Sequence, residues 1–507
     1  MMDKESASVP LAAVIVPDQA PDATRSTSSR SKTILLNFGS LSAGALVSRI
    51  AGLVTNAVLA RRVSASGFGI TGIAQSVTQY FGLFSDLGLG TVAVREGAQH
   101  PEKLQRVISS IQGLRLVLAL VAIPLGLFTA PYLPYSEASR NLFRIYLLTL
   151  PIQALSVDWV FRSVQKMHFN TVLQIVGALL TFALTVTLVR GPKDLIRVAG
   201  ISAIVAVVTV ALGMRLLRLV GYRARPTFSI RESRYYLGQS LPLCAVAFAV
   251  TLYSQANNLI LGAVRGDAEV GLYVAATRLA QVCYYPVWLY FAAMAPAMME
   301  AWTLSADKAR SLLSTSVRLT AIVSIGCGLI AASASQWILT QIFGKTFNGS
   351  GAAFELLVWT GVVIAIGHNW GELCISSKKN RLLIQVTFLG AFVNLAVCAA
   401  TVSRMGIRGA ALSNLMAEIV VHAFLIASFG RHMGLSVLRN ATKPVIAGAG
   451  AYGLFFAIRW ASPPICAILT PLAYITLLFI IGGLTARDLE RLRALAPTRR
   501  SPEASVF

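Results

Sequence analysis

Residues 177–189 read GALLTFALTVTLV, and residues 390–402 read GAFVNLAVCAATV. Neither stretch holds a charged side chain, and neither alternates polar with apolar positions as a half-buried strand would. Each lies in an apolar run of about 20 residues, the length a helix needs to cross roughly 30 Å of hydrocarbon. The two stretches also resemble each other, so together they carry both features that decide the fold: apolar membrane-spanning helices and an internal repeat.

The repeat extends outward from this pair. FGITGIA at 68–74 matches VGLYVAA at 270–276, and Arg115-Leu116 matches Arg318-Leu319. Asp158-Trp159 matches Asn369-Trp370, Gln174 matches Gln385, and IRVAGIS at 196–202 matches IRGAALS at 407–413. The matches keep one order, with a spacing that drifts by only a few residues. They pair the second apolar run with the eighth and continue to the sixth with the twelfth. An offset of six spans is even, so both halves enter the membrane in the same direction. Parallel repeats of this kind are a transporter architecture, with the substrate at the interface between halves.

Composition agrees. The chain has 507 residues, 55% hydrophobic and 13% charged, with mean hydropathy +0.67. Soluble domains are about 25% charged, so a large soluble enzyme is excluded. The apolar runs number about 14, at roughly 33–60, 68–87, 108–130, 142–161, 170–189, 195–217, 239–263, 270–298, 312–343, 352–374, 382–402, 407–429, 443–459 and 463–483. The run at 142–161 is interrupted by Arg144 and Asp158, and 443–459 is short. The fold class is therefore an all-α polytopic membrane protein with two parallel six-helix halves and two C-terminal helices. The expected organisation is a disordered cytoplasmic tail (1–32), a first lobe (33–217), a basic cytoplasmic linker (218–238), a second lobe (239–430), two extra spans (431–484) and a cytoplasmic tail (485–507).

The formal net charge of +23 is not a nucleic-acid signature, because its Lys and Arg lie in short segments between apolar runs. With both termini cytoplasmic, inside segments hold roughly three basic residues for each one outside, as the positive-inside rule requires. The discordant loop is Arg61-Arg62. The six cysteines sit in apolar runs with no C-x-x-C pair, which leaves no disulfide scaffold, zinc site or redox site to expect. His368 has no second His or Cys at ligand spacing, so no metal is expected. A Walker-type phosphate loop is absent too, so neither ATP hydrolysis nor a cofactor is expected.

At this point the order of features resembles the polysaccharide (oligosaccharide) flippases of the multidrug/oligosaccharidyl-lipid/polysaccharide exporter superfamily. The matching segments are LARRVSASGFGITGIAQ (59–75), SDLGLGTVAVRE (85–96), SVDWVFRSVQKM (156–167), NNLILGAVRGDAEVGLYVAATRLAQ (257–281), MGIRGAALSNLMAEI (405–419) and TARDLERLRAL (485–495). The position before LILG is commonly acidic in that family and here reads Asn257-Asn258. The resemblance implies a MATE-like fold in the bacterial inner membrane. It also implies a lipid-linked oligosaccharide as substrate, and polysaccharide polymerase and glycosyltransferases as partners beside membrane lipids.

Charges inside the spans are costly, so they mark sites that face a cavity or a partner. Arg49 and Arg278 lie near mid-depth, one in each half, and two guanidiniums over a shared cavity suit a diphosphate. Arg115 and Arg318 are repeat equivalents near the cytoplasmic ends of their spans. They either snorkel or form a vestibule for an anionic headgroup. Asn257 and Asn258 join this substrate-binding set. Glu372, Glu418 and Asp158 are the candidates for ion coupling, Glu372 sharing a helix face with Asn369. Asp86 and Asp158, near span ends, also suit capping. Tyr284, Tyr285, Trp288 and Tyr290 form an interfacial belt or a sugar-contacting surface.

The leading reading is a flippase for a polyprenyl-pyrophosphate-linked oligosaccharide, working by alternating access without making or breaking a bond. A multidrug/cation antiporter would need an acidic cavity. A peptidoglycan-precursor flippase has the same architecture. A membrane glycosyltransferase, polymerase or ligase would carry a sizeable outer loop with catalytic acids or bases, and the loops here are short.

Overall fold

The structure is a computed structural model describing the backbone of residues 27–484 and the side chains of residues 46–484. The expected tail at 485–507 and residues 1–26 of the other lie outside the described residues, and 27–32 are already helical.

Among the described residues all regular structure is helical. In order, α1 is Thr27–Asp86, α2 Leu89–Gln99, α3 Leu104–Thr129, α4 Glu137–Leu147, α5 Leu150–Ala154, α6 Asp158–Ser163, α7 His168–Leu188, α8 Leu195–Leu219 and α9 Ile230–Arg265. The second half continues with α10 Asp267–Leu304, α11 Ala306–Ser333, α12 Ser335–Phe343, α13 Gly351–Ser376, α14 Asn380–Met405 and α15 Ile407–Ser428. Then follow α16 Ser436–Leu438, α17 Thr442–Ile458 and α18 Pro463–Ile480.

Among the described residues, eleven helical segments are long and apolar enough to cross a bilayer. The other three expected spans have a different form. Those at 33–60 and 68–87 run together as α1, interrupted at Ser64. The span at 142–161 is broken into α4, α5 and α6, at the place where Pro151 and polar residues interrupt the apolar run. The span at 312–343 is divided between α11 and α12 at Ala334. The linker is shorter than 218–238: α8 ends at Leu219 and α9 begins at Ile230.

Many large apolar side chains face outward, among them Phe128, Leu219, Phe392 and Ile480. α7 is highly apolar, yet of its residues only Thr185 is fully buried. In water such a surface would aggregate; in lipid it is the solvated face, and helices associate through small residues instead.

The repeat is visible in the backbone. The first two spans of each half join at a single residue, Ser64 (φ 66°, ψ 175°) in one half and Gly266 (φ 86°, ψ 179°) in the other. These positions are repeat equivalents and share one conformation. Just beyond them α1 crosses α10. A Cβ on Gly69 would stand 1.7 Å from the Asp267 carbonyl oxygen, and one on Gly271 would stand 1.8 Å from the Ala65 carbonyl oxygen. Gly69 and Gly271, and Ala65 and Asp267, are again equivalents, so the contact is reciprocal about the axis relating the halves.

That crossing seals one end of the molecule. Phe68 packs between Phe343 and Phe347, with ring centroids 6.3 and 5.9 Å away. Arg61 donates to the carbonyls of Gln341 and Ile342, and the Ser139 hydroxyl donates to Asp267 at 2.9 Å. Arg62 donates to the last carbonyls of α7, at Thr185, Val186 and Val189. The basic pair that broke the charge pattern is thus held by helix ends, as cations at C-termini should be. At the opposite end Arg106 pairs with Glu232, Gln105 bonds the backbone of Arg223, and Arg95 bonds Gln239. α17 and α18 pack on α11, where the Tyr474 hydroxyl donates to the Ile322 carbonyl at 3.1 Å.

Candidate functional site

Past Gln75 the halves stay in contact through α9: Tyr80 packs on Phe248 with ring centroids 6.3 Å apart, and Gly88 lies against Ser240 and Cys244. Arg278 of α10 donates to the Gln75 side chain of the first half at 3.4 Å, and Gln75 donates to the Tyr146 hydroxyl of α4 at 3.3 Å. The Arg49 guanidinium lies 5.2 Å above the ring of Tyr285 on α10, a cation–π contact between the halves. Arg49 is exposed and Arg278 partly buried, and the two guanidiniums are near enough to repel each other. Measured along their helices from Ser64 and Gly266, they stand about 22 and 18 Å from the sealed end. That is deeper than the span ends read from sequence suggest, because each helix extends several residues farther toward that end. Among the described residues neither is in an ion pair with a carboxylate.

Two adjoining cavities lie in the first half. One, of about 590 Å³, is lined by residues of α1, α3, α4, α5 and α8, including Gln75, Gln79, Tyr146 and Gln153. The other, of about 470 Å³, includes Asp158, Asn170 and Gln174, and shares Ser156, Thr209 and Val210 with the first.

Arg115 lines the larger cavity and is ion-paired with Asp86, its Nε 2.6 Å from Oδ1. Asp86 also accepts from the Gly90 amide at 3.2 Å, as a helix-capping carboxylate does. Arg318, on α11, is partly buried and lines neither cavity. Asp158 opens α6, where Arg162 reaches it at 2.9 Å and the Ser156 hydroxyl at 3.1 Å.

The adjacent asparagines have different surroundings. Asn257 is buried and donates to the Tyr273 hydroxyl at 3.2 Å and the Ala410 carbonyl at 2.9 Å, within the second half. Asn258 donates across the interface to Ser76 at 2.9 Å, and Ser76 donates to Gln255 at 2.9 Å.

The second half holds two carboxylate–histidine pairs. Glu418 accepts from the Tyr253 hydroxyl at 2.7 Å, with His422 Nδ1 3.2 Å from its other oxygen. Glu372 is buried with His368 Nε2 at 3.5 Å. A Cβ on Gly367, the neighbour of His368, would stand 1.8 Å from the His422 ring. The glycine therefore lets α13 and α15 approach with both pairs close to the contact. His422 and Tyr253 were missed from sequence. The Glu-x-x-x-His spacing could have found the histidine, but nothing local points to the tyrosine. Tyr284 and Tyr290 are not a simple interfacial belt: Tyr284 lies against Gly361, and Tyr290 donates to Ser316 at 2.7 Å.

Two pseudo-equivalent helical halves joined by a reciprocal crossing, with one arginine from each near their interface, define a polytopic all-α membrane protein. The chain belongs to the family described as polysaccharide biosynthesis protein, whose profile matches residues 34–302, just over half of the 507. It is similar to a protein named as an O-antigen transporter of Escherichia coli (strain K12), 19% identical over 380 residues covering 74% of this chain and 91% of that one. A protein of the same name from Shigella dysenteriae is 22% identical over 334 residues, 64% of this chain and 81% of that one. Among solved structures, the lipid II flippase MurJ in an inward closed conformation superposes with TM-score 0.69 at 14% identity, over 89% of this chain and 99% of that one. An inward-facing multidrug resistance MATE family transporter gives 0.61 at 14% identity, over 75% and 93%. These structural likenesses establish the fold.

Proposed function

We propose that the protein flips a polyprenyl-pyrophosphate-linked oligosaccharide across the bacterial inner membrane, for export of a cell-surface or extracellular polysaccharide. The observation that carries this reading is the pair Arg49 and Arg278. One comes from each half, at similar depth, close enough for their charges to interact, and among the described residues neither is in an ion pair with a carboxylate. Two like charges held together in a membrane protein are costly unless an anion joins them, and a diphosphate offers oxygens to both forks. A cationic drug would add a third positive charge to the pair, which counts against the antiporter reading.

Transport would proceed by rocking of the halves about the α1–α10 crossing, opening their interface to each side in turn. No covalent step is needed, so the reading is of a transporter and not an enzyme. Family membership and the O-antigen transporter names of its relatives support the substrate class, and glycosyltransferases and a polymerase are its natural suppliers and consumers.

The test uses purified full-length protein in liposomes with a fluorescent lipid-linked oligosaccharide. Arg49→Ala and Arg278→Ala should each cut flipping at least tenfold with insertion intact. Lys at either position should rescue in part, because a point charge lacks the bidentate fork. Unimpaired flipping by both Ala variants would assign the arginines to packing. Flipping of a peptidoglycan precursor in place of the oligosaccharide lipid would assign the protein to cell-wall synthesis.

A further inference from the structure

The arginine pair accounts for the diphosphate, yet neither arginine lines the two adjoining cavities of the first half. We propose that these cavities form one chamber that binds the glycan of the substrate and selects short, uncharged sugars; the proposal rests on the flippase reading for its biological substrate.

The chamber's chemistry is that of a sugar site. Its charged side chains are neutralised in place: Arg115 by Asp86 and Arg162 by Asp158. Its remaining polar lining is amides and hydroxyls, which both donate and accept and so match the alternating demands of sugar hydroxyls. Gln79 and Gln174 are exposed, one in each cavity, and neither hydrogen-bonds another described residue. An anionic sugar meets no uncompensated cation here, which is the basis of the preference for neutral glycans. The volumes, about 590 and 470 Å³, fall in the range that encloses a compact ligand. They admit a short oligosaccharide and exclude a polymer.

Position links the chamber to the headgroup. Gln75 lines the larger cavity and also bonds Arg278, so a diphosphate at the arginines has its first sugar at the chamber mouth. The chamber's two carboxylates have no counterparts at the equivalent positions of the second half. The equivalent of Asp158 is Asn369, buried and bonded to Thr320 and to the carbonyls of Ala365 and Ile366. The equivalent of Asp86 is Trp288.

The experiment separates this inference from the flippase reading by using two readouts on the same protein. Gln79→Met and Gln174→Met, combined, keep side-chain volume while removing both amides. The first readout is the shift in melting temperature caused by a free, lipid-less neutral tetrasaccharide. Wild type should be stabilised, the double variant should lose that shift, and an equally long uronic-acid tetrasaccharide should give none. The second readout is flipping. The double variant should move the tetrasaccharide-linked lipid at least tenfold more slowly than wild type, while moving the monosaccharide-linked lipid at the wild-type rate. No stabilisation of wild type by the neutral sugar, or equal stabilisation of variant and wild type, overturns the chamber. Equal slowing of both lipids also overturns it. Sugar binding that behaves as expected in a protein that flips neither lipid upholds the chamber and overturns the flippase reading alone.

Discussion

Glu418 shows how much a single side chain's meaning depends on its neighbours. Alone on an apolar helix it would be expelled or protonated. Here Tyr253 donates to one oxygen at 2.7 Å and His422 approaches the other at 3.2 Å, a setting in which a proton can be held or passed. If Glu418 and Glu372 couple transport to a proton gradient, Gln at either position should stop gradient-driven net flipping. It should leave gradient-free exchange of lipid between leaflets unchanged. Equal net transport by wild type and both Gln variants would remove them from the mechanism and leave trapping by downstream polymerisation as the source of direction. Gly367 offers a structural companion test. Its Cβ position is occupied by the His422 ring, so Gly367→Ala should destabilise the protein by about 1–3 kcal/mol, read as a lower melting temperature in detergent.

At the scale of elements, the single-residue turns matter most. Ser64 and Gly266 share a backbone conformation with positive φ that is natural for glycine and strained for serine. Ser64→Gly should therefore raise stability, and Gly266→Ala should lower it, each by about 1–2 kcal/mol. A Cβ at Gly266 would meet nothing within 4 Å, so its cost is one of backbone conformation alone. Gly69 and Gly271 differ in kind, because a Cβ at either would meet the opposing carbonyl. Gly69→Ala or Gly271→Ala should open the α1–α10 crossing. The matching measurement is increased reactivity of a cysteine placed at Phe68 toward a membrane-impermeant thiol reagent, with the six native cysteines replaced. Unchanged reactivity would mean the crossing is not the seal.

For the molecule as a whole, the connections group by end. The turns at Ser64 and Gly266, Ser139 and the α12 carbonyls meet at the sealed end. Arg106, Arg223 and Glu232 meet at the other. Every segment in the first group is expected outside by the charge pattern, and every one in the second inside. Labelling should thus find Arg223→Cys accessible only from the cytoplasm and Asn348→Cys only from outside. Reversal of either would invert the orientation, including the cytoplasmic termini.

The sequence by itself determined the solvent, the helical class and the repeat. Each is written locally: hydrophobicity over a span, and similarity between stretches read side by side. It also located the buried charges, since an Arg or Glu in an apolar run stands out in one dimension. Span boundaries were less legible. Ser64 gives no Gly or Pro signal for a turn, and Arg144 and Asp158 marked the run at 142–161 as irregular without saying how α4, α5 and α6 would divide it.

Only the tertiary structure decided what each polar group meets. Asp86 and Arg115 are 29 residues apart, Tyr253 and Glu418 are 165, and Gln75 and Arg278 are 203. Adjacent Asn257 and Asn258 have different partners because successive side chains on a helix point about 100° apart. The physical reason is range. Burial in lipid acts on every residue according to its own chemistry, whereas hydrogen bonds and ion pairs act over a few ångströms and exist only once the halves have packed.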